Sequence, residues 1–92
     1  MNVVIIGNPK TNSEVLKSIA GQLTEAGLSV RYPTVEMLDL GEDSAIIETF
    51  ERIDWADMVI AVPKEGLVFN HTITSEIAYA KHKQRPVFIY YG

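Results

Sequence analysis

The residue best placed to do chemistry is a glutamate on the apolar side of a helical pattern. Ile73, Ile77 and Ala80 recur at helical spacing, and packing that stripe inward puts Glu76 on or beside it. The residue three positions earlier is Ile73, so no Ser/Thr capping box accounts for the placement. A first-turn glutamate favoured by the helix dipole is the plainer account. The functional one is an inward carboxylate that acts as nucleophile or general base, its pKa set by its neighbours. Near the start of the chain, Gly7-Asn8-Pro9-Lys10-Thr11-Asn12 joins an apolar run to a helical pattern, so its amides and the helix start can hold an anion. It lacks the second glycine and Lys-Ser/Thr pair of a P-loop and is not G-x-G-x-x-G; a tight turn explains Gly7 and Pro9 equally well. His71, five residues before Glu76, either touches the same ligand or is a surface-loop histidine.

Other charged groups point elsewhere. Glu36, Asp39, Glu42, Asp43, Glu48, Glu51, Asp54 and Asp57, against Arg52 alone, read as a solvated face without metal-ligand spacing, and His71 and His82 are far apart in sequence. No metal site and no cofactor are expected. Lys81-His82-Lys83-Gln84-Arg85 closes a helix, where cations complement the dipole. Phe50 and Trp55 read as packing residues.

The elements that must position these groups alternate along the chain. Val3 to Ile6 is a β-branched run buried on both faces of a parallel sheet. Val15, Leu16, Ile19, Ala20 and Leu23 then give a helix, with Thr11 and Glu14 as a capping box and Gly27 as its stop. Leu28, Val30 and Tyr32 alternate as a second, more exposed strand ended by Pro33. The stretch 34–42 shows no settled period and reads as irregular. A helix is predicted over Ser44 to Trp55 with Asp43 or Ser44 as cap, then a strand from Met58 to Val62, the Glu76 helix, and a last strand from Val87 to Tyr91 after Pro86. This βαβαβαβ order predicts an α/β fold: a three-layer, doubly wound, four-stranded parallel sheet of order 2-1-3-4, flavodoxin-like or Rossmann-like. Ligands in such sheets bind beyond the carboxyl ends of the strands at the switch between the first and third.

The size of the chain sets limits. Its 92 residues make one domain, residues 1–92, and with 47% apolar and 22% charged residues it reads as an ordinary globular chain. A net charge of −4 is the wrong sign for phosphate-backbone binding, so no nucleic-acid partner is expected. Cysteine is absent, which excludes disulfides and thiolate chemistry. No apolar run approaches the roughly 18–20 residues of a membrane span, and no secretory pattern opens the chain, so no membrane partner and a cytoplasmic location are expected.

The residues resemble the nucleoside 2-deoxyribosyltransferases and the related deoxynucleoside-monophosphate N-glycosidases. The resemblance lies in Gly27-Leu28-Ser29-Val30-Arg31-Tyr32-Pro33, in Ile53-Asp54-Trp55-Ala56-Asp57-Met58-Val59-Ile60-Ala61-Val62, and in Ser75-Glu76-Ile77-Ala78-Tyr79-Ala80 followed by Arg85-Pro86-Val87. It implies a short, divergent member in which Glu76 attacks the sugar carbon and carries a covalent glycosyl intermediate. It further implies that Gly7, Asn8, Pro9 and Lys10 line the base or phosphate end, that Asn70, Thr72 and Thr74 orient sugar or phosphate, and that Asp57 is structural. Where the family has a glycine four residues before its glutamate, this chain has Thr72. Where transferases often add an acid two residues before that glycine, it has Asn70, and a further family aspartate falls on Thr49. The activity expected is cleavage or transfer at the N-glycosidic bond of a small-molecule nucleoside or nucleotide.

Two other readings remain open from the sequence. Gly7 to Ser13 also looks like the phosphate loop of flavodoxin-like flavin proteins, although a flavin site needs further loops to sandwich the ring and the stretch 64–70 after Pro63 offers Phe69 as its one aromatic candidate. A nucleotide-sensing or interaction module without catalysis is the other. A core this small leaves Met37, Leu38, Leu40, Leu67, Val68 and Phe69 in segments expected to be incompletely covered, so a homodimer is expected.

Overall fold

The computed structural model describes residues 1–38, 41–63 and 71–90. Its elements run β1 (Asn2–Ile6), α1 (Ser13–Glu25), β2 (Ser29–Arg31), α2 (Val35–Leu38), α3 (Glu42–Trp55), β3 (Met58–Ala61), α4 (His71–His82) and β4 (Val87–Ile89). The four strands form one all-parallel sheet of order β2-β1-β3-β4, as the alternation of buried runs and helical stripes predicts. Val4 pairs with Val59 and Val59 with Val87, so the strands share one register across the centre of the sheet.

Alternation along the central strands divides the core in two. Val4, Ile6, Val59 and Ala61 pack with Ile53, Ala56, Ile73 and Ala80 from the α3/α4 side. Ile5 and Val62 pack with Leu16, Ile19 and Ala20 of α1 on the opposite side. The helices thus flank the sheet as expected, α1 on one face and α3 with α4 on the other. Across the α3–α4 seam, the Phe50 and Tyr79 rings stack at 4.1 Å between centroids, and the Tyr79 hydroxyl donates to Asp54 Oδ1 at 2.8 Å. Trp55 is half-buried under the Arg31 guanidinium, 4.4 Å from the ring centroid.

Several boundaries differ from the sequence expectation, each for a local reason. Asn12, not Thr11, is the N-cap of α1, and no side chain caps the helix; the Asn12 amide instead donates to the Pro63 carbonyl at 3.2 Å. The α3 helix begins at Glu42 behind Gly41, whose φ of 92° suits glycine, so neither Asp43 nor Ser44 caps it. Within the stretch read as irregular, the Thr34 carbonyl accepts from Met37 N–H at 3.1 Å and one helical turn, α2, forms. β3 ends at Ala61 rather than Val62. The last strand ends at Ile89, with Tyr91 outside the described residues.

The basic cluster after α4 does more than face a dipole. Arg85 donates to the carbonyls of Ile53 (3.3 Å) and Asp54 (3.0 Å), fastening the end of α4 to the unsatisfied end of α3. Gln84 holds φ 59° there and Arg85 N–H returns to the Ala80 carbonyl, a Schellman-type end usually built on glycine, as Gly27 builds it after α1.

Candidate functional site

Beyond the carboxyl ends of β1 and β2 the chain leaves a cleft of about 360 Å³, lined by Gly7, Asn8, Pro9, Lys10, Pro33, Met37, Ala45, Ile46, Thr49, Thr72, Ile73 and Glu76. It lies at the carboxyl end of the sheet, the end at which ligand sites of parallel sheets form, with α4, which follows β3, closing one side. Six candidates taken from the sequence, Gly7, Asn8, Pro9, Lys10, Thr72 and Glu76, come together in its wall.

The loop after β1 is held by its own groups. Asn8 Oδ1 accepts from Lys10 N–H at 2.9 Å and the Asn8 carbonyl from Asn12 N–H at 2.9 Å, an Asx-type turn that feeds into α1. The Asn12–Pro63 bond then ties this loop to the end of β3. Glycine at position 7 has a packing reason: a Cβ there would lie 3.1 Å from Leu16 Cδ2 and 3.3 Å from Val62 Cβ.

Glu76 is brought to the cleft by α4, because Ile73 and Ala80 are buried against the sheet and Glu76 shares their side of the helix. It is only 7% exposed. Among the described residues nothing donates a hydrogen bond to its carboxylate, yet no described side-chain N or O atom is both sealed from solvent and unpartnered. Its oxygens therefore open onto the cleft. Burial without a compensating partner disfavours the anion and pushes the carboxyl up from 4.5 to about 7. A void of about 20 Å³ beneath the cleft is bordered by Thr49, Arg52 and Glu76. The Arg52 guanidinium is committed to the Tyr32 carbonyl at 2.9 Å and Glu48 at 3.1 Å. Thr49, 8% exposed, donates its one hydroxyl proton to the Ala45 carbonyl at 3.0 Å, so its oxygen can only accept further bonds.

Other candidates fall elsewhere. Asn70 lies outside the described residues, as does the side chain of His71, whose backbone opens α4 rather than preceding it in a loop. Thr74 is exposed and does not line the cleft. Asp57 sits at the opposite end of the sheet, where its Oδ2 accepts from Asn2 N–H at 2.7 Å and its own N–H donates to the Asn2 carbonyl at 2.7 Å. Met37 is buried in the cleft wall instead of being an uncovered apolar residue, because α2 folds it inward. The Leu38 side chain and Leu40, Leu67, Val68 and Phe69 lie outside the described residues.

Sequence reasoning did not single out Pro33, Met37, Ala45, Ile46 or Ile73 as wall residues. Pro33 was within reach, since the residue after β2 must emerge at the same end of the sheet as Gly7. The apolar walls from α2 and α3 carried no comparable signal. Among the described residues no three carboxylates or histidines cluster as metal ligands, and no helix is long and apolar enough to cross a membrane. No family model matches the chain, and neither curated proteins nor solved structures give a match to it.

Proposed function

We propose that the cleft binds a nucleoside or nucleotide and that Glu76 cleaves or transfers at its N-glycosidic bond. The observation that carries the reading is a carboxylate more than nine-tenths buried, without a hydrogen bond from any described residue, and opening into a strand-end cleft. The volume, about 360 Å³, is at the small end of ligand sites and suits a nucleoside-sized molecule. Apolar walls from Pro33, Met37, Ile46 and Ile73 suit a flat base, while Asn8, Lys10 and Thr72 supply polar contacts. The similarity to the nucleoside 2-deoxyribosyltransferases points to the same glutamate.

In the step proposed, a Glu76 carboxylate oxygen bonds to C1′ as the C1′–N bond breaks, its electron pair leaving on the base, which takes a proton from solvent. Water or a second base then attacks C1′ and frees the carboxylate. Among the described lining residues Glu76 is the only carboxylate. A second acid assisting the leaving base is worth about 10²- to 10⁴-fold, so turnover is expected to be slow. That same lack favours the second reading, a nucleotide-binding module without catalysis.

Incubating the protein and Glu76→Ala with deoxynucleosides and deoxynucleoside monophosphates, and following free base by chromatography, separates the two. Base release by the wild type alone supports the enzyme. No release by the wild type, or equal release by the variant, leaves the binder. A coloured purified protein would favour the flavin reading. We also propose a homodimer, checked by light scattering: a mass near the 10.3 kDa of one chain at high micromolar concentration counts against it.

A further inference from the structure

The groups around Glu76 are unusual in what they withhold. Thr49 has spent its only proton on Ala45, and Arg52, which borders the same small void, directs two of its N–H groups to Tyr32 and Glu48 and none to Glu76. Lys10 is exposed on the loop and forms no ion pair with Glu76. Asn8 and Thr72 share the wall, but neither donates to the carboxylate. Among the described residues these are the other polar side chains that line the cleft or the small void with Glu76. A buried carboxylate is strengthened as an anion by donors or paired cations, and no described residue donates a hydrogen bond to Glu76 or forms an ion pair with it.

We infer that the ligand itself must bring hydrogen-bond donors to Glu76, hydroxyl or N–H groups on an uncharged molecule, and that binding expels a proton from the Glu76 carboxyl. A phosphate-type anion brings only acceptors and like charge to the ionised carboxylate, so it does not supply those donors. The inference rests on the cleft being the ligand site of the proposed function, and it adds which end of the ligand meets Glu76. The raised carboxyl, near 7, makes the proton count observable close to neutrality.

The test uses the carbocyclic analogue of 2′-deoxyadenosine, which keeps the hydroxyls and the base but has no glycosidic bond to break. Calorimetric titration of the protein in buffers of low and high ionisation enthalpy counts the protons exchanged. Release of about half a proton per ligand is expected at pH 7, close to one at pH 5.5 and almost none at pH 8.5. Glu76→Gln keeps the shape and should bind without proton exchange. Proton release that is absent at every pH, or that persists in Glu76→Gln, overturns the inference, as does failure to bind at millimolar concentration. Proton release without base release in the separate nucleoside assay would remove the glycosidic chemistry and leave the inference standing. Base release without proton exchange would do the reverse.

Discussion

The two ends of the sheet treat a carboxylate in opposite ways. At the amino end Asp57 is exposed, yet it is engaged on both sides of its backbone position, accepting from Asn2 N–H and donating to the Asn2 carbonyl at 2.7 Å each. At the carboxyl end Glu76 is buried and bonded to nothing among the described residues. Asp57 closes the gap between the starts of β1 and β3 and has satisfied partners. Glu76 has its charged form destabilised, which a structural role does not need. A carboxylate that costs stability where it stands is a better guide to function than one that supplies it.

The contrast is broken most strongly at Glu76. Its folded-state carboxyl titrates near 7 against 4.5 unfolded, so the folded state holds the proton more tightly. This group's contribution therefore worsens as pH rises through that window, by about 3 kcal/mol once both states are ionised. Glu76→Gln should be more stable than wild type by up to that amount at pH 8.5 and nearly equal to it at pH 4. Urea unfolding of both proteins across this range checks it, and a pH-independent difference would remove the desolvation account. Asp57→Ala should act in the other sense, destabilising by about 1 kcal/mol through loss of a partly solvated charge-assisted bond. It should leave ligand binding intact, which the analogue titration would show. The smallest effect belongs to Asn12→Ala, about 0.5–1 kcal/mol for one bond of 3.2 Å. Because that bond ties the loop carrying Asn8, Pro9 and Lys10 to the end of β3, ligand affinity should fall along with the melting temperature, unlike for Asp57→Ala.

How far the sequence disclosed this arrangement depends on where the signal resides. The strands β1 and β3 and the stripe of α4 are written in contiguous apolar runs and 3.6-residue spacing, which report burial directly. That information was enough for the strand order and for the inward side of Glu76. The turn α2 was not legible, since four residues cannot display a period and its formation depends on Thr34 and on packing of Met37 against the cleft. The cap of α1 departs from the local pattern for a related reason: the Asn12 side chain satisfies a distant carbonyl, Pro63, that no neighbouring residues encode. Proximity of Pro33, Ile46 and Thr49 to Glu76 is likewise a property of tertiary packing, invisible until the crossovers are closed.

Gly7 separates two compartments by the thickness of a single peptide chain. One side of it lines the cleft, and on the other Leu16 and Val62 press within the distance of a would-be methyl group. No side chain cushions that partition, so the α1 interior and the ligand site share a wall and cannot be tuned independently. A trimmed side chain at Leu16 would let the wall recede and reshape the site from behind, while added bulk at Gly7 would push into the interior before it met any ligand. Compensating pairs of changes at these positions are thus the route by which the dry side of the molecule can adjust what the wet side recognises.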